Sequence, residues 1–215
     1  MRFIPFSRDV FLRLFEIYNA AIWPAQIVAY ALCAIALLLA LRPARASGRI
    51  IAFLLAAAWI WNGVAYHMLH FATINWAAWP FGFFFVVEGL LLFAAGMKRA
   101  PLAFRFAGDA AGWTGLALNA YAMVAYPVIG LLDGEPLHRL ALVGVAPCPT
   151  TLFTFGMLLL AEQRVPMHLL VLPVLWSLIA GAAGWLIHIP QDLALPVAAL
   201  LTVVLLARRG QVSRA

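Results

Sequence analysis

The chain has 215 residues, of which 66% are hydrophobic and only 10% are charged. A soluble globular domain carries about 25% charged residues, so this composition excludes an ordinary soluble protein and predicts an all-α integral membrane protein. The net charge of +6 comes from Lys and Arg in connections, in tails and at the ends of apolar stretches. These residues are read as anchors and topology signals, and no nucleic-acid partner is predicted.

Residues 7–18 predict a short amphipathic helix. Apolar side chains recur there at helical spacing, and the charged side chains fall off that stripe. Ser7 is the predicted N-cap, because its hydroxyl can accept a backbone N–H of the first turn. A helix of this kind is typical of a segment that lies along the membrane surface, so an interfacial helix is expected. The first ten residues have no signal-peptide pattern, so no removable leader is predicted.

Seven apolar stretches follow, and each can cross a bilayer as a helix. They are 20–41, 49–71, 76–97, 112–132, 139–161, 166–188 and 191–207. The connections are short, so residues 1–215 form one membrane domain, a seven-transmembrane-helix bundle with an N-terminal interfacial helix.

The positive charges predict the orientation of the bundle, because cytoplasmic connections are enriched in Lys and Arg. Connections 42–49, 98–111 and 162–165 and the tail after 207 hold ten of these residues, and the opposite side holds four. We therefore expect the N-terminus outside and the C-terminus in the cytoplasm of a bacterial inner membrane.

Glu88 is the only formally charged side chain in the interior of a predicted span. It lies about 18 Å from the outer end of that span at 1.5 Å per residue. A carboxylate at this depth costs at least about 3 kcal/mol, so a functional role is the default hypothesis. The alternative is a protonated structural acid that bonds to a neighbouring helix.

Other polar side chains cluster towards the predicted outer face, and lipid cannot satisfy them. We therefore predict an outward-facing polar cavity around Glu88 that binds an unknown small molecule or ion. The candidate binding or coupling residues are Glu88, His67, Tyr66, Asn62, Cys148, Thr150, Thr151 and Asn119.

The segment 146–151 interrupts the fifth span, because prolines flank Cys148 and each removes a backbone donor. Either this span is a broken helix, or 134–147 is a loop that dips into the bundle and the helix starts near Pro149. Broken helices mark binding sites in many transporters. A helix that starts here could bind an anion with its free N–H groups and with the hydroxyls of Thr150 and Thr151.

Histidines suggest a second class of function, a metal-dependent intramembrane hydrolase. His67, His70 and His188 are the candidate ligands for a transition metal, since imidazole is a common zinc ligand. Seven-helix hydrolases of the ceramidase and progestin-receptor-like superfamily bind metal in a similar bundle, but the last span here lacks their paired histidines. Retinal binding is excluded, because the only lysine, Lys98, lies at a span end.

Four segments resemble a family of small bacterial integral membrane proteins of unknown function, sometimes labelled permease. They are 18–26 (YNAAIWPAQ), 66–67 (YH), 147–156 (PCPTTLFTFG) and 175–179 (LWSLI). The resemblance extends over almost the whole chain and implies a bacterial inner-membrane protein. It implies no activity and no site residues.

The leading hypothesis is a small transporter in which Glu88 couples transport to a proton or cation. In this hypothesis, His67 tunes access with pH. The alternatives are the hydrolase and a non-catalytic binding or assembly subunit, in which the polar residues only hold the helices together.

Overall fold

The computed structural model describes residues 5–99 and 101–212, and helices account for most of this part of the chain. The α-helices are α1 (Arg8–Ile22), α2 (Ala25–Leu41), α3 (Ser47–Trp61), α4 (Ala78–Met97), α5 (Ala110–Ala120), α6 (Tyr126–Leu132), α7 (Pro147–Leu159), α8 (His168–Leu186) and α9 (Ala194–Val212). Short π-helical or 3-10 segments extend or connect them at Asn62–Met68, Phe71–Thr73, Tyr121–Ala125, Leu137–Arg139 and Pro190–Leu193.

Within the described residues, five continuous helical segments are long and apolar enough to cross a membrane. They are Ser47–Thr73, Ala78–Met97, Ala110–Leu132, His168–Leu186 and Pro190–Gly210. Each overlaps one predicted span, and most ends agree within two or three residues. The other two predicted spans, 20–41 and 139–161, take different forms.

The first predicted span bends sharply near its start. The axes of α1 and α2 meet at 89° around Trp23 and Pro24, so the two helices count as a sixth span only if they are taken together. The helix predicted at 7–18 is present, and the Ser7 hydroxyl accepts the N–H of Val10 at 3.3 Å, as expected for an N-cap.

The apolar stripe of α1 faces protein. Phe15 is 5% exposed and Tyr18 is fully buried, and both rings pack against Tyr66. The stripe of a purely surface-bound helix would instead be free to meet lipid. α1 is therefore packed against the rest of the protein through this stripe, whatever its position relative to the bilayer.

The second exception is α7, a helix of 13 residues that are all buried. It packs against α3, α5, α8 and α9, so it lies at the centre of the bundle. At 1.5 Å per residue it is about 20 Å long, which is too short to cross a bilayer core of about 30 Å alone. Its start at Pro147 fits the second alternative for this segment, a non-helical stretch followed by a shorter helix.

α4 packs closely against α3 and its π-helical extension. Glycines allow this approach: a Cβ atom at Gly82 would lie 2.7 Å from the carbonyl oxygen of Gly63. Trp59 and Phe85 stack across the interface with ring centroids 4.4 Å apart. Glu88 follows Phe85 by one turn, so it belongs to this tightly packed part of the molecule.

Candidate functional site

The non-helical stretch 140–146 survives inside the fold because side chains bind its backbone. The Tyr18 hydroxyl donates to the Val145 carbonyl at 2.7 Å, and Asn62 Nδ2 donates to the Gly144 carbonyl at 3.3 Å. Thr150 Oγ1 accepts the Gly144 N–H at 2.9 Å and donates to the Ala146 carbonyl at 2.6 Å. Buried backbone groups need such partners, so Asn62 and Thr150 act here as supports for the loop.

The first turn of α7 lacks the donors that an anion would need. Pro147 and Pro149 have no N–H, and the N–H of Thr150 already bonds to the Ala146 carbonyl. The hydroxyls of Thr150 and Thr151 donate to the carbonyls of Ala146 and Pro147. The two hydroxyls and the Thr150 N–H that the sequence suggested for an anion are therefore already bonded within this turn.

A cavity of about 590 Å³ lies beside this turn, between α1, α6, α8 and the connections 71–77 and 187–192. Most of its wall is apolar and aromatic. The aromatic residues that line it are Phe6, Phe11, Phe15, Tyr66, Phe71, Trp76, Phe81, Tyr126 and Trp176. A volume of this size falls in the range of about 300–1,000 Å³ that small-molecule sites occupy.

Three polar side chains form a buried group in the cavity wall: Asp192, Tyr126 and Cys148. The Tyr126 hydroxyl donates a hydrogen bond to Asp192 Oδ1. The Cys148 thiol lies beside both of them and beside Trp176. These residues are 9% exposed or less, so their polar atoms meet the cavity rather than bulk solvent.

The turn that carries Asp192 is held from two sides. A Cβ atom at Gly184 would lie 2.6 Å from the Cβ of Asp192, so glycine lets α8 come close to this turn. The Tyr121 hydroxyl donates to the carbonyl of Gln191 at 3.0 Å. The carboxylate therefore has a fixed place in the wall.

Ion pairs connect α1 with residues 133–139 near the cavity mouth. Arg8 bonds to Asp133 and to Glu135, the latter at 3.1 Å. Arg139 bonds to Glu16 at 2.9 Å. Glu135 and Arg139 line the cavity, and both are thus already paired.

Glu88 does not lie in the lining of this cavity, contrary to the sequence prediction. It is completely buried in α4, and neither carboxylate oxygen has a hydrogen-bond partner within the described residues. Of the two acids in the described lining, Glu135 is paired with Arg8, and Asp192 has no basic partner.

His67 is buried against aromatic rings rather than exposed to the cavity. Its Nδ1 lies 2.9 Å from the Asn62 carbonyl, and its Nε2 has no partner among the residues that the structure describes. Its ring centroid is 4.5 Å from that of Phe85 and 5.1 Å from that of Trp176. The imidazole therefore contacts the cavity through the aromatic side chains that line it, among them Trp176 and Tyr66.

The three predicted metal ligands are not brought together. His70 Nδ1 lies 2.7 Å from the Ala65 carbonyl, and His188 is exposed. Within residues 5–99 and 101–212, no three His, Cys, Asp or Glu side chains form a group that could hold a metal ion.

Two of the predicted site residues, Tyr66 and Cys148, line the cavity, while Asn119 lies elsewhere. Asn119 Oδ1 would lie 2.6 Å from a Cβ atom at Gly156, so this side chain is packed between α5 and α7. Sequence reasoning missed Asp192, Tyr126 and Trp176 as members of the site. The available signal was an acid in the first turn of the last apolar stretch.

The helical fold and the five apolar helices of membrane-spanning length indicate a helical membrane protein. The chain belongs to the family of unknown function DUF6064, whose model matches residues 8–215. The resemblance to an uncharacterised family is thus confirmed over nearly the whole chain. No curated protein and no solved structure matches it.

Proposed function

We propose that this protein is a permease-like carrier of small organic molecules, with the cavity beside α1 and α8 as its binding site. The observation that carries the proposal is the cavity itself: about 590 Å³, walled by aromatic rings, with one buried group of polar side chains. Small-molecule sites combine apolar walls with a few polar groups in this way. Both Asp192 and Cys148 are available to contact a bound solute.

The proposed setting is a bacterial inner membrane, with seven segments in the bundle and the C-terminus in the cytoplasm. α7 counts as the fifth segment and is surrounded by the other helices. The mouth of the cavity is lined from connections 71–77, 133–139 and 187–191, which the charge distribution assigns to the outer side. The right-angled turn between α1 and α2 suits an α1 that lies along the outer surface.

In this proposal Glu88 is the coupling group of the carrier. A completely buried carboxyl without a hydrogen-bond partner is stable only in its neutral form, so each ionisation means that a proton leaves the α3–α4 interface. Because Glu88 lies outside the cavity lining, it would act on helix packing rather than on the solute.

The carrier activity is tested by counterflow in proteoliposomes at pH 7. The probes are radiolabelled 1-naphthylmethylamine and 1-naphthaleneacetate, whose two-ring body suits an aromatic cavity. We expect at least one of them to exchange about tenfold faster than in protein-free liposomes. Failure of both probes to exceed the protein-free rate would overturn the proposal.

Two tryptophan variants show whether exchange uses this cavity. Ala183 of α8 lines it, so Ala183→Trp should fill it and abolish exchange. Leu178, on the same helix, is 54% exposed and lies outside the lining, so Leu178→Trp should retain exchange. Equal exchange by the two variants would place the route elsewhere.

A further inference from the structure

We propose that the cavity is selective for organic cations, namely protonated amines attached to an aromatic or aliphatic body. This inference rests on the proposed function, since it names the substrate class of the same site. It follows from the charges, the hydrogen-bond acceptors and the aromatic rings of the wall.

The unbalanced charge in the cavity wall is negative. Within the described residues, no Lys, Arg or His nitrogen lies within 4.0 Å of the Asp192 carboxylate, whose hydrogen bond comes from Tyr126. Arg139 is the only basic side chain among the described lining residues, and Glu16 neutralises it. A buried carboxylate without a cation attracts one, because its charge is poorly solvated there.

A second acceptor belongs to Gln191, the residue before Asp192. Gln191 lines the cavity, and its Oε1 is buried without a hydrogen-bond donor among the residues that the structure describes. A buried acceptor without a donor costs about 1–3 kcal/mol, so a ligand that donates here is favoured. An ammonium group carries three N–H donors and no acceptor, which suits a cavity whose lining offers acceptors on both Asp192 and Gln191.

The aromatic wall favours the same ligand. Rings of Phe, Tyr and Trp attract cations to their faces, and a protonated amine near Trp176 or Tyr66 would gain this interaction together with the carboxylate. An anion would meet the negative charge of Asp192, and the hydroxyls at the start of α7 are already bonded. Among the buried side-chain donors of the described lining, Trp176 Nε1 alone has no partner, so a single N–H would have to offset that repulsion. A bare metal ion would find too few ligands in the wall, where one carboxylate is unpaired.

The test is equilibrium dialysis at pH 7 of protein in lipid nanodiscs, with empty nanodiscs as the blank. The probes are 1-naphthylmethylamine, 1-naphthalenemethanol and 1-naphthaleneacetate, which share one ring system and differ in charge. We expect the amine to bind about tenfold more tightly than the alcohol, and the acetate to bind most weakly. An acetate that binds as tightly as the amine overturns the inference.

Asp192→Asn should reduce the affinity for the amine to that for the alcohol. The control is Glu162→Gln, which neutralises an exposed acid just after the C-terminus of α7 and should leave the affinity for the amine unchanged. Gln191→Met should weaken amine binding about threefold. If Asp192→Asn fails to fold, the order of the three probes on the unmodified protein still decides the question. Unchanged amine affinity in folded Asp192→Asn contradicts the inference.

The alcohol separates this inference from the proposed function. Alcohol binding that Ala183→Trp abolishes, without preference for the amine, keeps the cavity as the binding site and refutes cation selectivity. Counterflow of the acetate without counterflow of the amine would likewise support the carrier function and refute cation selectivity. Failure of all three probes to bind refutes both proposals.

Discussion

Glu88 and Asp192 are both buried acids, but the regions around them are built in opposite ways. Around Glu88, glycines bring α3 and α4 into close contact, and the carboxyl is enclosed without a hydrogen-bond partner among the described residues. Around Asp192, Gly184 brings α8 equally close on one side, but on the other side α1, α6 and α8 leave about 590 Å³ of space. Asp192 also has a partner, the hydroxyl of Tyr126.

The difference shows that burial of an acid does not by itself mark a ligand site. A proton can reach a carboxyl in a close-packed interface, but a solute needs volume beside it. The volume comes from residues distant in sequence, so the acid that is most isolated along the chain is not the one that faces the cavity.

The largest expected effect comes from adding volume to each region. Gly82→Leu should destabilise the protein by about 3 kcal/mol, because its side chain would overlap the Gly63 carbonyl across the α3–α4 interface. Ala183→Leu adds its side chain to the cavity and should change stability by less than about 1 kcal/mol. Thermal unfolding in detergent measures both. Equal destabilisation would show that the cavity wall is as closely packed as α3–α4.

Removing each acid should give effects of opposite sign. Glu88→Leu should stabilise by about 1–3 kcal/mol, because it eliminates a buried polar group without a partner. Asp192→Leu should destabilise by about 1–3 kcal/mol, because the Tyr126 hydroxyl loses its acceptor.

Chemical unfolding in micelles can measure these two changes. Destabilisation by Glu88→Leu would show that the carboxyl has a bonding partner after all. Stabilisation combined with lost counterflow would fit a coupling group that the protein retains at the expense of stability.

The smallest effect is expected at the C-terminal end of α7. The acid there, Asp109, is half exposed and belongs to an ion pair, unlike the buried Glu88 and Asp192. Arg209 bonds to both oxygens of Asp109 at 2.8 Å and to the Leu159 carbonyl at 2.9 Å. Burial alone would raise the pKa of Asp109, but the hydrogen bonds from Arg209 and from the Gly112 N–H outweigh it and lower the pKa.

A lowered pKa in the folded state means that the stabilisation is present above the unfolded value of about 3.9 and is lost as pH falls through the folded pKa. Asp109→Asn should remove this acid-dependent loss, which is at most about 1 kcal/mol because the side chain is half exposed. Unfolding measured from pH 6 to pH 2 checks it. An identical pH dependence in the variant would assign the loss to other acids.

Local patterns in the sequence predict much of the fold. Hydropathy locates the five long helices, Ser7 caps α1 as expected, and the prolines at 147 and 149 interrupt the fifth span. These features depend on neighbouring residues, so a single sequence contains their signal.

The site is less predictable, because it depends on contacts between distant residues. Asp192 falls in the first turn of an apolar stretch, where an acid normally reaches solvent. The approach of α8 at Gly184 and the contact with Tyr126 bury it, and Tyr126 comes from a distant part of the chain. His67 is of a residue type that is common in functional sites, yet aromatic rings enclose it. Hydropathy contains no information on which helices separate to leave a cavity.

The contacts of α1 also impose an order on biosynthesis. Arg8 pairs with Asp133, 125 residues later, and the Tyr18 hydroxyl bonds to Val145, 127 residues later. At about 5–20 residues per second, the ribosome adds these partners roughly 6 to 25 s after α1. α1 is therefore made well before these two polar partners, and for that interval Arg8 and the Tyr18 hydroxyl need other partners, from lipid headgroups, a chaperone or the translocon.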